Sequence, residues 1–394
     1  MSMLISILAI GLIITIHEAG HFLFARLFGA GVVEFTIGMG PRIASVIRGE
    51  TRYSLRILPF GGACIMLGED SGDENEDSEG ERGEAESRQA EDGMQSGIPE
   101  GYKEADGRLF PKSKMLSKLP AWKRFFIVIG GPLFNFLLAM GLSCFIVGAA
   151  GFDRPLVVQT EEGLPAAESG IEAGDLLVSA AIGGEKADLR LSRDFTLFLY
   201  MHQQELQEQQ PVSVTVLKAD GSWQSYSLTP RYSEKTGSNR LGITYNAAYE
   251  KPENPGEYLY FSFQNARYSI STSFKSLGMM LKGRVSGNDI TGPVGMVAVL
   301  DESVSQAADY GFLSAVLTLF DLMMIISASL GVMNLLPIPA LDGGRLVFIF
   351  IEMLTGHPVP RKAEGLIHAA GFLVLLILMA LIMFNDIRRL IFGG

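Results

Sequence analysis

The chain has 394 residues, 48% of them hydrophobic and 19% charged, and its mean hydropathy of +0.26 makes a membrane protein the first class to test. Its net charge of −11 is not a general acidity, because residues 69–108 hold fifteen acidic and four basic residues and the remainder balances at 28 of each sign. No dense basic stripe points to a nucleic-acid partner, and two cysteines, Cys64 and Cys144, make neither a disulfide framework nor a thiolate zinc site.

Residues 1–28 start with fourteen uncharged positions, Met3–Ile16, a length that fits a short span, a buried helix or the core of a signal peptide. No Lys or Arg precedes the run and no small-residue cleavage site follows it, which speaks against a signal peptide. If the helix continues through His17, Glu18 and His21 to Phe28, it spans a bilayer with three ionisable groups inside it. Residues 29–68 read as short strands, Val33–Ile37, Ile43–Ile47 and Tyr53–Leu58, punctuated by Gly38, Gly40, Gly49, Gly61 and Gly62. They form either a small cytoplasmic sheet or a hairpin that dips into the membrane under cover of protein or water. Residues 69–110 are an acidic insert, too poor in apolar side chains to repay the entropy of ordering, and are expected to be disordered.

Residues 111–152 are expected to hold a cytoplasmic helix and a second span, since Phe125–Phe152 is uncharged over 28 positions. Lys112, Lys114, Lys118, Lys123 and Arg124 crowd the start of that span and mark it as cytoplasmic. Residues 153–250 read as a β-rich domain, with strands at Leu156–Thr160 and Leu176–Ser179 and a hairpin of Val212–Leu217 with Trp223–Leu228 around Asp220-Gly221. The spacing Gly-x-Pro-Ala-x-x-x-Gly-x-x-x-Gly-Asp from Gly163 resembles a bacterial PDZ domain, and Gly163, Pro165 and Ala166 are its expected glycine loop. Such domains take an extended chain end as an added strand; a rigid extracytoplasmic spacer is the alternative. Residues 251–310, with Tyr258, Phe261 and Phe274 among polar neighbours, suit an amphipathic extracytoplasmic segment on the membrane surface or a linker helix. A third span occupies 311–341 and breaks at Pro337 and Pro339. A cytoplasmic loop at 342–365 carries Arg345, Arg361 and Lys362, and the fourth span with the C-terminus fills 366–394. Arg388 and Arg389 run against this alternation.

The chemistry sits in His17-Glu18-Ala19-Gly20-His21. Positions i and i+4 share one helix face, so both imidazoles can reach one metal, and Glu18 can take a proton from water at the open position. Soluble zincins and membrane-anchored ATP-driven proteases carry the same short motif, but no GxxxxGK[ST] phosphate loop occurs in this chain. A catalytic zinc needs a third protein ligand. Asp342 qualifies: it follows Pro337 and Pro339, precedes Gly343 and Gly344, and lies at the same cytoplasmic end as His17 and His21. His202, His357 and His368 compete poorly, lying in the β-rich domain, beside Pro358 and inside the fourth span. A non-catalytic scaffold has no use for Glu18, and a transporter would need repeated halves that the sequence lacks.

HEAGH in the first span, NLLPIPALDGG from Asn334 to Gly344 in the third and a PDZ-like insert between them resemble the site-2 protease family, in its bacterial RseP type. Phe35–Pro41 with Pro59–Gly62, Gly130–Asn135 and Gly292–Gly295 agree with that resemblance, which covers nearly the whole chain. It implies a polytopic α-helical membrane protein with four transmembrane helices, a membrane-associated β-loop and an extracytoplasmic β-rich PDZ-like domain. It implies one zinc ion on His17, His21 and Asp342, with Glu18 as general base for a zinc-activated water that attacks a peptide bond inside a substrate's transmembrane helix. Asn135 and Asn334 would hold the substrate backbone or steady the oxyanion, or serve only as helix–helix hydrogen bonds. Gly61 and Gly62 would offer the substrate a strand edge. Implied substrates are single-pass membrane proteins in the lipid bilayer, such as anti-sigma factors and remnant signal peptides. They would be cut in regulated intramembrane proteolysis after a first protease has trimmed them, with the PDZ region filtering by size. The implied location is the bacterial cytoplasmic membrane, active site near the cytoplasmic side. One PDZ-like unit where well-known relatives carry two, and the acidic insert, depart from the pattern.

Overall fold

The structure, a computed structural model, describes residues 2–68, 99, 101–234, 236–246, 249–284 and 292–392. Helix α1 (Ser2–Phe28) leads into β1 (Val32–Arg48) and β2 (Thr51–Met66), a small hairpin of β3 (Tyr102–Ala105) and β4 (Arg108–Pro111), and helix α2 (Ala121–Ala149). A β-rich stretch follows with β5 (Phe152–Asp153), β6 (Leu156–Thr160), α3 (Pro165–Ser169), β7 (Leu176–Ile182), β8 (Glu185–Asp188), α4 (Ser192–Met201) and α5 (Gln203–Gln207). It continues through β9 (Val212–Leu217), β10 (Trp223–Leu228), β11 (Arg231–Ser233), β12 (Ser238–Arg240), β13 (Ile243–Asn246) and β14 (Tyr249–Glu250). The last five helices are α6 (Pro255–Leu281), α7 (Pro293–Ala308), α8 (Phe312–Leu335), α9 (Asp342–Thr355) and α10 (Arg361–Phe392). These elements divide into two compact units, one of residues 1–138, 288–315 and 326–394 and the other of residues 139–287 and 316–325.

Among the described residues, four helical segments are long and apolar enough to cross a membrane: Met3–Phe28, Ala121–Ala149, Phe312–Leu335 and Lys362–Asp386. In the first unit α1 and α2 meet backbone to backbone, since a Cβ at Gly20 would lie 2.2 Å from the Gly130 carbonyl oxygen. With no hydrophobic drive between helices in lipid, that close approach is what lets dispersion and backbone dipoles hold them together. Strands β1 and β2 are long and bent. Residues 32–37 pair antiparallel with 62–66, 34–37 also run parallel beside 52–55, and 44–48 fold back antiparallel on 51–55, giving four ribbons in which, among the described residues, 62–66 is an edge. Buried Glu34 pins the bend, accepting hydrogen bonds from Arg42 Nε at 3.0 Å and Nη2 at 2.8 Å. Burial raises the Glu34 carboxyl, but the hydrogen bonds and the charges of Arg42 and Arg56 outweigh it, and the net shift is downward. Asp386 on α10 accepts from the Gly292 and Gly295 amides at 3.2 and 2.9 Å, so a buried carboxylate sits on the N-terminus of α7.

Four expectations are corrected here. The end of the insert expected as disordered, 69–110, is the β3–β4 hairpin, turning at Asp106 and Gly107, both with positive φ (52° and 69°). Phe110 anchors it, fully buried beside Val33 and Leu67, while residues 69–98 and 100 lie outside the described residues. The helix expected before the second span is two single 3₁₀ turns, Lys112–Lys114 and Leu116–Lys118, because Pro111 and Pro120 bracket a stretch too short for more. Residues 251–310 are not one segment but the separate helices α6 and α7. The expected loop 342–365 begins with α9, whose Gly343 and Gly344 lie in its buried first turn rather than breaking it.

The second unit is built on a sheet of order β10-β9-β7-β6-β13, with β8 paired to β7. The β9–β10 hairpin turns through Gly221 at φ 82°. Phe195, Phe198, Leu177 and Val214 fill the core. Gly163 precedes α3, whose Pro165 and Ala166 are buried, and the Ala166 amide donates to the Leu241 carbonyl at 3.0 Å. A recess of about 560 Å³ lies instead between α4–α5 and the start of β13, lined by Leu199, Gln203, Leu241, Gly242 and Ile243. Across one end of it Thr196 and Tyr245 share a hydroxyl hydrogen bond of 2.9 Å.

Candidate metal centre

Helix α1 carries His17 and His21 one turn apart and buried, with rings edge-on at 84°. Their Nε2 atoms are 3.2 Å apart, and Asp342 Oδ2 lies 3.2 Å from the first and 3.3 Å from the second. Asp342 arrives from the loop after α8: Pro337 and Pro339 end that helix, and Gly343 fits where a Cβ would lie 2.0 Å from the Leu336 carbonyl oxygen. Glycine is required on α2 as well, because a Cβ at Gly131 would meet His21 Nε2 at 2.3 Å.

The outer nitrogens decide what the inner ones can do. His21 Nδ1–H donates to the Ile127 carbonyl at 2.9 Å, which leaves Nε2 with a lone pair. His17 Nδ1 faces the carboxamide of buried Asn135 at 3.1 Å. Turning that amide over sets Oδ1, otherwise without a partner among the described residues, on the Nδ1–H and leaves His17 Nε2 able to offer a lone pair too. Asp342 Oδ2 is buried and, among the described residues, has no hydrogen-bond donor assigned to it. Three atoms that can each offer a lone pair thus converge, an arrangement that a cation satisfies. Tetrahedral zinc with ligands at about 2.0–2.1 Å sets them about 3.3–3.4 Å apart, close to the three separations here. The donor set and its spacing fit zinc. Among the described residues this is the one such cluster of His, Cys, Asp and Glu.

Glu18 follows His17 on α1, and its Oε2 accepts from the Cys64 amide at 2.9 Å, on the edge ribbon of β2. Gly62 lies beside it, where a Cβ would be 3.5 Å from Glu18 Cγ, while Gly61 takes φ +84° against Met39. Asn135 is held to α8, its carbonyl accepting from Ser327 Oγ at 2.8 Å. Asn334 is half-buried on α8 and, among the described residues, makes no hydrogen bond with His17, His21 or Asp342. Sequence reasoning missed the Cys64 amide and the Ile127 carbonyl. They are backbone groups that any residue supplies, so no side-chain pattern could have marked them.

The model of the family described as peptidase family M50 matches residues 5–378. The chain belongs to that family. A protein of Clostridium acetobutylicum is 32% identical over 386 residues, covering 98% of this chain and 97% of its own length. One from Fusobacterium nucleatum is 29% identical over 394 residues, covering 99% of each chain, and one from Clostridium perfringens is 31% identical over 388 residues, covering 98% of each. All three are named "putative zinc metalloprotease". M50 peptidases use zinc, and this M50 chain is a multi-pass membrane metalloprotease.

Proposed function

We propose that this M50 protein is an intramembrane endopeptidase of the RseP type, cutting within the transmembrane segments of single-pass membrane proteins. The observation that carries the reading is the convergence of His17 Nε2 and His21 Nε2, on the apolar helix α1, with Asp342 Oδ2 at the start of α9, and with Glu18 next to His17 on α1. These three atoms would hold one zinc ion. When bound, zinc supplies a Lewis acid that acidifies water and polarises the scissile carbonyl. Glu18 takes the proton from the attacking water and passes it to the leaving amine, its free carboxylate oxygen aimed by the Cys64 amide on the other. The edge ribbon 62–66 beside Glu18 suits an unwound substrate added as a strand, with Gly61 and Gly62 leaving room for it. Asn135 fixes the His17 ring, and Asn334 is assigned to the substrate backbone.

Residues 153–250 serve as an extracytoplasmic PDZ-like domain that screens substrates already trimmed by another protease. The recess beside Leu241, Gly242 and Ile243 supports this more directly than the Gly163–Ala166 turn does. The basic residues Lys112–Arg124 support a cytoplasmic face for the site, in a bacterial cytoplasmic membrane. Anti-sigma factors and remnant signal peptides, substrates of regulated intramembrane proteolysis, are the proposed targets. The test is cleavage of trimmed single-span substrates by wild type and Glu18→Gln, with zinc assayed in both. Loss of about 10²–10⁴-fold in rate with zinc retained is expected. Cleavage that survives Glu18→Gln would overturn the mechanism.

A further inference from the structure

Ala340, two residues before Asp342, has φ +73°, a left-handed conformation that glycine adopts freely and alanine does not. Its amide donates to His368 Nδ1 on α10 at 2.9 Å. A nitrogen that accepts must be bare, so the His368 ring carries its proton on Nε2. The ring also stands edge-on to Phe348 of α9, with centroids 5.5 Å apart. One turn further along α10, Gly371 brings backbone against the same loop, since a Cβ there would lie 2.3 Å from Pro339 Cβ. Within the loop the Ile338 amide donates to the Leu336 carbonyl at 2.7 Å and the Leu341 amide to Ile338 at 3.2 Å. The left-handed residue is therefore the point at which the chain reverses from α8 into α9, and α10 grips it from outside.

We infer that His368 is a positioning residue for the metal centre: by accepting the Ala340 amide it holds the strained turn that aims Asp342 at His17 and His21. This rests on the reading of those three residues as zinc ligands. His368 touches none of them and acts only through the backbone of Ala340.

The test is zinc affinity of the purified full-length protein, by competition with a chromophoric chelator. His368→Ala should bind zinc about tenfold more weakly, the scale of an outer-shell loss. His368→Asn, whose Oδ1 replaces Nδ1, should stay near wild type. His368→Phe keeps the ring but not the acceptor and should behave like His368→Ala. The double variant His368→Ala with Ala340→Gly should recover most of the affinity, because glycine holds the positive φ unaided. Recovery in His368→Phe without recovery in the double variant would mean that the ring only packs, and would overturn the inference. So would wild-type affinity in His368→Ala beside a loss in Asp342→Ala. Wild-type affinity in Asp342→Ala would overturn the zinc assignment itself, and this inference with it.

Discussion

The metal cluster is framed by backbones brought close at glycines, whereas the main core of the β-rich unit is filled by large side chains. Around His17 and His21 the close contacts run through Gly20, Gly130, Gly131 and Gly343, and the outer partners are the Ile127 carbonyl and the Cys64 amide. In the β-rich unit the interior is Phe195, Phe198, Leu177 and the inward row of β9. The difference teaches where each unit tolerates change. The cluster fails by gaining atoms and the β-rich core by losing them.

The largest expected effect is therefore Phe195→Ala. It empties a fully buried ring position and should destabilise the β-rich unit by about 3–5 kcal/mol, read as a lowered melting temperature. Zinc content should stay at wild type, and loss of zinc would break the division drawn here. Next come Gly131→Ala and Asn135→Leu. The first drives a methyl into the imidazoles and the second removes the acceptor of the His17 Nδ1–H, so each should weaken zinc binding about 10–100-fold with little change in melting. Smallest is a pH effect at the bend of β1. Glu34 and Asp106 both titrate lower than usual: burial opposes this in each, and hydrogen bonds from Arg42 and Arg52 respectively, with neighbouring arginine charges, prevail. Their stabilisation is complete above the ordinary values of 4.5 and 3.8 and is lost as pH falls through the lowered ones. Hydrogen exchange in β1–β2 should accordingly be insensitive to pair breakage above pH 4.5 and show loosening only in more acidic buffer.

What the sequence made legible follows the same line. His17 and His21 were readable because helical i, i+4 geometry is local, and Asp342 because two prolines and two glycines frame it. The β3–β4 hairpin was hidden because Asp106-Gly107 closes a segment whose acidic composition swamps a four-residue alternation. Helix α9 was hidden because Gly343-Gly344 reads as a breaker, although both pack against the preceding turn. The recess at Leu241–Ile243 has no residue spacing that marks it in the sequence, whereas the glycine-proline spacing at Gly163–Ala166 marks the start of α3. The role of His368 needs the φ of Ala340, which no residue type announces.

Zinc K-edge absorption of the purified protein tests the central claim most directly. A shell of nitrogen and oxygen scatterers at about 2.0–2.1 Å with two imidazoles, reduced to a different shell or lost in Asp342→Ala, is the predicted result. A sulfur at about 2.3 Å, or a spectrum unchanged by Asp342→Ala, would contradict it.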